Sequence, residues 1–251
     1  MLVVDISMRI LEKATRNTIP DNKFVFTCDA LDKSVPKPLP QRLNFFMLII
    51  GSPGSGKTTL LMNLICRRAS PYRKRFDTVY VFSPSLGTLK SNPFKCLPEE
   101  QKHDDISIEN ITEVLETISE SGEKVLLILD DVVNSLRSSK ELETLMSKIA
   151  HNRRHLCGGG GSLSIIMTSQ VFRNKVPVPI RKSVSHLITF QVSKLDFEAM
   201  FQEYGLVSRV VWEGVIKYIF KVPRSFLYLD LNAPPEEMFH RNWNKLTIEG
   251  I

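Results

Sequence analysis

Long uninterrupted apolar runs dominate the middle of the chain, and polar residues rarely alternate with apolar ones inside them. The runs are Phe45–Ile50, Thr78–Phe82, Lys124–Asp130, Leu163–Thr168, Leu187–Phe190 and Phe226–Leu229. Strands that are buried on both faces show this continuous pattern, which is typical of parallel sheets. We therefore interpret these runs as strands of one central sheet.

Segments with helical periodicity lie between the runs. Leu60, Leu61, Leu64 and Ile65 follow the first run at helical spacing, and a helix is predicted from about Ile106 to Ser119. Later helices are predicted after a capping box at Ser138–Glu141, over 194–203 and over 208–220. Strands that alternate with helices predict an α/β fold with a mostly parallel central sheet flanked by helices on both faces.

The pattern divides the chain into three parts: an N-terminal extension over 1–40, a main domain over 41–230 and a C-terminal tail over 231–251. In the extension, Asp5–Asn17 has the composition of a short helix, and the proline-rich segment Lys33–Pro40 is expected to be extended. The tail is expected to be irregular. Within the domain, Ser83–Asp105 contains three prolines and is predicted to be a long loop.

Composition adds little to this outline. The 251 residues include 33 basic and 27 acidic side chains, a net charge of +6 that mildly favours an anionic partner. The four cysteines are widely scattered, which argues against a disulfide framework and fits a reducing compartment. Asp5 and Arg9 come too early for a secretory signal, and no apolar run is long enough to span a membrane.

A complete GxxxxGK[ST] motif separates the first predicted strand from the first predicted helix. In this context the motif predicts a loop whose backbone N–H groups bind nucleotide phosphates, with the helix dipole in support. Lys57 would reach the β- and γ-phosphates, and the Thr58 hydroxyl would bind Mg²⁺. The predicted nucleotide-binding residues are Gly51, Ser52, Pro53, Gly54, Ser55, Gly56, Lys57, Thr58 and Thr59.

Polar side chains at the ends of two later apolar runs complete a candidate catalytic set. Asp130 ends the Lys124–Asp130 strand and is assigned to Mg²⁺, while Asp131 would polarise the attacking water. Gln170 follows the Leu163–Thr168 strand. It would sense the γ-phosphate or position water if that strand lies between the two preceding motifs; otherwise it is a surface polar group.

Two basic segments remain open to more than one interpretation. Arg153 and Arg154 follow a predicted helix, where either one is an arginine finger aimed at a neighbour's nucleotide or a cation at a helix end. The stretch from Arg67 to Arg75, with Tyr72 inside it, is a solvated face or faces DNA or another subunit.

The segments GSPGSGKTT, VLLILDDV, NRRHL and IIMTSQ occur in that order. Together they resemble the DNA-packaging ATPases of large DNA viruses, the poxvirus-type branch of the FtsK/HerA superfamily of P-loop ATPases. The resemblance covers roughly 40–230. It implies a RecA-like sheet in which the Gln170 strand lies between the two Walker strands. It also implies Arg154, beside His155, as the arginine acting in trans, although Arg153 stands where a small residue is more usual. Asp131 stands where many relatives have Glu, so its reach to the water is shorter.

The function implied by the resemblance is hydrolysis of ATP with Mg²⁺, coupled to translocation of double-stranded DNA into a capsid or procapsid. The partners would be DNA, a capsid protein and further copies in a ring, a hexamer or pentamer. The place of action would be inside the host cell, in its cytoplasm, its nucleus or a virus factory, with association to the virion. The alternative is a P-loop switch or scaffold that binds nucleotide without hydrolysis. A GTPase is disfavoured because the NKxD signature is missing, and a kinase because Ser83–Asp105 contains no arginine.

Overall fold

The computed structural model describes residues 27–86 and 94–248. The predicted helix at Asp5–Asn17 lies outside the described residues.

The described strands form one nine-stranded sheet. They are β1 (Phe46–Ile50), β2 (Thr78–Phe82), β3 (Lys102–His103), β4 (Lys124–Asp130), β5 (Ser162–Ser169), β6 (His186–Thr189), β7 (Leu227–Asp230), β8 (Phe239–Arg241) and β9 (Asn244–Lys245). Their spatial order is β3-β2-β4-β5-β1-β6-β7-β8-β9. The pairings from β3 to β6 are parallel, and those from β6 to β9 are antiparallel.

The helices of the described chain are α1 (Lys57–Ile65), α2 (Ile108–Ile118), α3 (Val133–Ser138), α4 (Lys140–Asn152), α5 (Val178–Arg181), α6 (Lys194–Tyr204), α7 (Arg209–Ile219) and α8 (Pro235–Met238). None of them is long and apolar enough to cross a membrane.

The centre of the sheet has the strand order that the resemblance implied. Strand β5 lies between β1 and β4, pairing Ile50 with Ser169 on one side and Asp130 with Thr168 on the other. Parallel strands end at the same edge, which we call the carboxyl edge. The segments that follow β1, β4 and β5 therefore meet there.

Two cores cover the two faces of the sheet, as the continuous apolar runs predicted. Successive side chains of a strand point to opposite faces, so Phe46 and Leu48 join one core while Met47 and Ile49 join the other. Helices α2, α4, α6 and α7 cover the first core, and α1 covers the second. The α/β prediction with helices on both faces is confirmed.

One predicted cap is wrong by a residue. Ser138 is the last residue of α3, so it does not begin the next helix. The Oγ atom of Ser139 accepts a hydrogen bond from the Leu142 N–H and caps α4 instead. The sequence pattern did not reveal that a short helix ends directly before the cap.

Three segments that were predicted to lack regular structure, or to be extended, differ from that expectation. Around Lys33–Pro40 the chain forms turns closed by Val35 N–H to Asp32 O and Leu39 N–H to Pro36 O. Val35 and Leu39 are buried, and burying them folds the segment back onto the sheet. The Ser83–Asp105 segment contains β3. The tail contains the helix α8 and the strands β8 and β9, and the two strands extend the sheet past β7.

The cysteines also differ in part from expectation. Cys66 and Cys96 form a disulfide, whereas Cys28 and Cys157 are free and buried. Because the two bonded residues are separated by 30 positions and meet only in the folded chain, their spacing did not reveal the pair.

Candidate nucleotide-binding site

The glycine-rich loop leaves β1 at the carboxyl edge in a conformation that needs its glycines. Gly54 and Gly56 have φ angles of 76° and 107°, in the region that disfavours side chains. At Gly51, a Cβ atom would lie only 2.5 Å from the Oγ of Ser55. The motif therefore follows a steric requirement of the backbone as well as a chemical one.

Lys57 begins α1 and folds back over this loop. Its Nζ donates hydrogen bonds to the carbonyl oxygens of Gly51 at 2.6 Å and Ser52 at 3.3 Å. Partial burial lowers the pKa of Lys57, and the nearby carboxylates of Asp131 and Asp130 oppose that effect. The ammonium group is thus positioned beside the loop and the acid pair, where a bound phosphate would gain a cation.

A buried hydroxyl in the loop fits a phosphate ligand. The Oγ of Ser55 is buried and has no hydrogen-bond partner among the described atoms. Buried polar atoms are nearly always satisfied, and this one lies in the loop where phosphate oxygens would supply the partner. Together with the exposed Ser52, Pro53 and Gly54, it forms a cradle with the right chemistry for phosphate oxygens.

The carboxylate of Asp130 is buried and held from two neighbouring strands. The Thr168 hydroxyl on β5 donates to Oδ1 at 2.7 Å, and the Ser83 hydroxyl, directly after β2, donates to Oδ2 at 3.2 Å. Thr168 Oγ1 also accepts the backbone N–H of Asp131 at 3.0 Å. One threonine hydroxyl therefore orients both members of the acid pair.

Asp131 and Gln170 are brought together, as the strand order predicted. The Nε2 of Gln170 donates to Oδ2 of Asp131 at 2.6 Å. Asp131 has a φ angle of 57°, unusual for a residue other than glycine. Strained backbone of this kind persists where the surroundings hold it, and here Thr168 holds the Asp131 N–H.

The residues present fit a magnesium ion next to a nucleotide. Mg²⁺ in such sites is bound by one or two protein oxygens together with substrate phosphates and waters. A carboxylate has about four lone-pair positions, and the two hydroxyl contacts of Asp130 leave room for a metal. Asp130 and Thr58 would hold the ion, which when bound would neutralise charge developing on the phosphates.

A further carboxylate holds the loop that follows Gln170. Asp196, buried near the start of α6, accepts the backbone N–H groups of Phe172 at 3.0 Å and Arg173 at 2.8 Å. Its other oxygen accepts from the Ser193 hydroxyl at 2.7 Å. These bonds fasten the Gln170 loop to a helix and limit the loop's movement.

Sequence reasoning missed Thr168, Ser83 and Asp196. A usable signal existed for the first two, because both are polar residues at the carboxyl ends of strands that flank β4. No comparable signal marked Asp196, whose partners lie 23 and 24 residues away.

The two candidate arginines lie far from this site, at the opposite, amino edge of the parallel strands. Arg153 donates to the carbonyl oxygens of Asn44, before β1, at 2.7 Å and Ala150 at 2.6 Å. Burial, with a smaller contribution from Arg154, lowers the pKa of Arg153 to about 10. Arg154 is exposed and forms an ion pair with Asp29. The chain's own phosphate loop is therefore not served by either arginine.

The sequence of the chain matches a protein-family model across the site described above. The family model described as "Poxvirus A32 protein" matches residues 39–219, which span the phosphate loop, the acid pair and Gln170. The chain belongs to the poxvirus A32 protein family.

Several curated relatives of the chain carry the name "DNA packaging protein OPG160". The Variola virus protein is 29% identical over 167 residues, which cover 64% of this chain and 58% of the relative. The Vaccinia virus (strain Copenhagen) protein is 28% identical with the same coverage. The chain thus spans less than two thirds of the length of these relatives.

Solved structures show the same fold. The genome packaging NTPase B204 from Sulfolobus turreted icosahedral virus 2, in complex with sulfate, superposes with a TM-score of 0.54 at 15% identity over 82% of this chain and 98% of that one. The pCW3 conjugation coupling protein TcpA with ATPγS superposes with a TM-score of 0.51 at 13% identity over 83% of this chain and 62% of that one.

Proposed function

We propose that the chain is an ATP-driven translocase of double-stranded DNA that packages a viral genome into a capsid. ATP would be hydrolysed with Mg²⁺ at the carboxyl edge, at a site shared between subunits of a homo-oligomeric ring. The protein would act inside the infected cell, at a virus factory, and would contact a capsid or procapsid protein and associate with the virion.

The contact between Asp131 and Gln170 carries the proposal. A site that only binds nucleotide needs the phosphate loop, whereas hydrolysis also needs groups that polarise and orient water. The Nε2 of Gln170 lies 2.6 Å from the Oδ2 of Asp131 at the ends of adjacent strands. The carboxylate of Asp131 also lies near the ammonium group of Lys57. The names of the relatives and membership of the A32 family supply the coupling to DNA.

In this scheme the chain's own groups have distinct roles. Lys57 binds the β- and γ-phosphates, and Asp131 accepts hydrogen bonding from the attacking water. Gln170 orients that water and senses whether the γ-phosphate is present. The bond between Asp131 and Gln170 occupies one acceptor position of the Asp131 carboxylate and leaves others for the water.

The test is the rate of ATP hydrolysis with and without double-stranded DNA. We expect hydrolysis that DNA stimulates and that Lys57→Ala lowers by about 10²–10³-fold. The absence of hydrolysis under both conditions would contradict an ATPase.

The shared site is tested by mixing subunits. Arg154 is placed at the edge opposite its own phosphate loop, which is compatible with action on a neighbour. Arg154→Ala subunits and Asp131→Asn subunits are each expected to be inactive, and mixtures are expected to regain partial activity. No recovery at any ratio would refute action in trans, and mass analysis of the assembly would show whether it is a ring.

One observation favours a second function, that of a nucleotide switch without turnover. The carboxylate of Asp131 is on a short side chain and already accepts a bond from Gln170. Tight ATP binding with negligible single-turnover hydrolysis in the presence of DNA would establish the switch and exclude the translocase.

A further inference from the structure

The segment between α1 and β2 is strongly basic, and its one acidic residue, Asp77, stands directly before β2. Residues 66–76 read CRRASPYRKRF and contain five basic and no acidic side chains. We call this segment the basic turn. It begins where α1 ends and leads to the first residue of β2, so it lies at the amino edge of the parallel strands.

Buried anchors hold the basic turn in place. The Oγ of Ser70 accepts from the Arg67 N–H at 2.8 Å, and the Tyr72 N–H donates to Leu64 O at 3.0 Å. The Tyr72 side chain is buried and its hydroxyl donates to Pro40 O at 3.0 Å, while Phe76 is buried beside it. Tyr72 is therefore an anchor and is not available to stack on a base.

The cations between these anchors face solvent. Arg67, Arg68, Arg73 and Lys74 are all exposed, and none forms an ion pair within the described chain. Two exposed arginines elsewhere are paired, Arg154 with Asp29 and Arg209 with Glu198, whereas the basic turn places four cations that are unpaired in the described chain within eight residues. A rigid backbone that presents several unpaired cations fits a ligand with regularly spaced negative charges.

We infer that the basic turn is a contact surface for the phosphate backbone of double-stranded DNA. Its anchors fix where the cations sit, and the cations supply the sequence-independent attraction on which backbone binding depends. The inference rests on the proposed function and names where the chain holds its DNA. It also gives α1 a second role. The helix starts at Lys57 beside the nucleotide and ends at the basic turn about 14 Å away, at roughly 1.5 Å per residue, so one rigid element joins the two sites.

The experiment compares two triple variants of the full chain. The first is Arg67→Gln, Arg68→Gln and Arg73→Gln. The matched control is Lys217→Gln, Lys221→Gln and Arg224→Gln, which removes the same charge from exposed cations that also lack ion pairs in the described chain. Binding to a duplex of random sequence is measured over a series of salt concentrations, together with ATP hydrolysis with and without DNA and the oligomeric state.

We expect the first variant to bind the duplex about tenfold or more weakly and to lower the slope of log K against log salt by about 2.7, because each phosphate contact contributes about 0.9. Its hydrolysis without DNA should equal that of the unaltered chain, and its stimulation by DNA should fall. The control should keep both the affinity and the slope.

Other results separate the inference from the proposed function. If the unaltered chain hydrolyses ATP and responds to DNA but the first variant binds with unchanged slope, the basic turn is not the DNA contact and the translocase stands. Loss of assembly in the first variant, with DNA affinity retained, would assign the surface to an acidic face of a neighbouring subunit and overturn the inference. If the unaltered chain neither binds nor responds to DNA, the proposed function itself fails.

Discussion

The two edges of the parallel strands differ in how their charged groups are satisfied. At the amino edge a cavity of about 790 Å³ is lined by charged groups, several of which pair with one another. Arg154 pairs with Asp29, and Lys245 pairs with Glu237. At the carboxyl edge Lys57 contacts only backbone carbonyls, and Ser55 has a buried hydroxyl without a partner. The charges of the cavity are thus partly compensated within it, while the phosphate loop still lacks partners for its polar groups. Unmet polar groups are the better guide to chemistry here.

The largest effect should follow from Lys57→Ala. Removing one preorganised cation from a developing charge lowers the rate by about 10²–10³-fold, whereas folding should change little because Lys57 contributes only bonds to loop carbonyls. Hydrolysis rates and chemical denaturation measure the two. The control is Lys175→Ala, a lysine that contacts the Asn134 side chain and should leave hydrolysis intact. Equal losses in both variants would mean that Lys57 has no special role among the lysines of the carboxyl edge.

At the amino edge the next largest effect should be on stability. Arg153→Ala removes a cation that satisfies two backbone carbonyls, with an expected loss of about 2–3 kcal/mol in the free energy of unfolding. Arg154→Ala removes an exposed pair and should cost less than about 1 kcal/mol. Denaturant unfolding checks both. A large loss from Arg154→Ala with none from Arg153→Ala would exchange the roles assigned to the two arginines.

Thr168→Val should lower kcat about tenfold with a small change in KM. The substitution keeps the shape of the side chain but removes the hydroxyl that orients Asp130 and Asp131, and a charge-assisted bond is worth about 1.5–3 kcal/mol. Ser164 on the same strand is an internal control, because its buried hydroxyl has no partner in the described chain. Ser164→Ala should leave kcat unchanged and not lower stability. Equal kinetic effects would mean that the hydroxyl of Thr168 does not act through the acid pair.

The smallest effect should be a pH dependence at the amino edge. Burial, helped by nearby Arg153, lowers the pKa of His186 to about 3. Below about pH 6.5 the imidazole of His186 is therefore protonated in the unfolded chain but stays neutral in the folded chain. The free energy of unfolding falls as the pH drops below 6.5 for this reason. Burial raises the pKa of Asp230, and that group works in the opposite direction closer to pH 4. Between pH 6.5 and 5.5, His186→Gln should reduce the slope of the unfolding free energy against pH by about 1 kcal/mol per pH unit. Denaturation curves recorded at each pH give these free energies. If their slope against pH is the same in the variant, the imidazole of His186 is not buried in its neutral form.

The central strands and the phosphate loop were predictable because their signals are local. Continuous apolar runs marked β1, β2, β4 and β5 to within a residue or two, and the motif after β1 needs only neighbouring residues to be recognised. The meeting of Asp131 with Gln170 was predictable once β5 was expected between the Walker strands.

The missed features depend on distant partners. In the tail, β8 is stabilised by its pairing with β7. Because β8 has only three residues, it is too short to show strand periodicity in the sequence. Asp196 resembled any acid in the first turn of a helix until its bonds to the Gln170 loop were visible. The assignment of a catalytic role to Arg154 stays a prediction, since it concerns a neighbour's nucleotide.

Strand β5 has a consequence for timing. Its register is locked by hydrogen bonds to β1 on one side and β4 on the other, and Asp196 fastens the loop beyond it. The backbone at the site therefore has little freedom, and any change in the contact between Asp131 and Gln170 falls to rotation of an exposed glutamine side chain. Such rotations take picoseconds to nanoseconds. A rearrangement of this contact would then be far faster than any movement of a subunit, so this step would not limit the rate of hydrolysis.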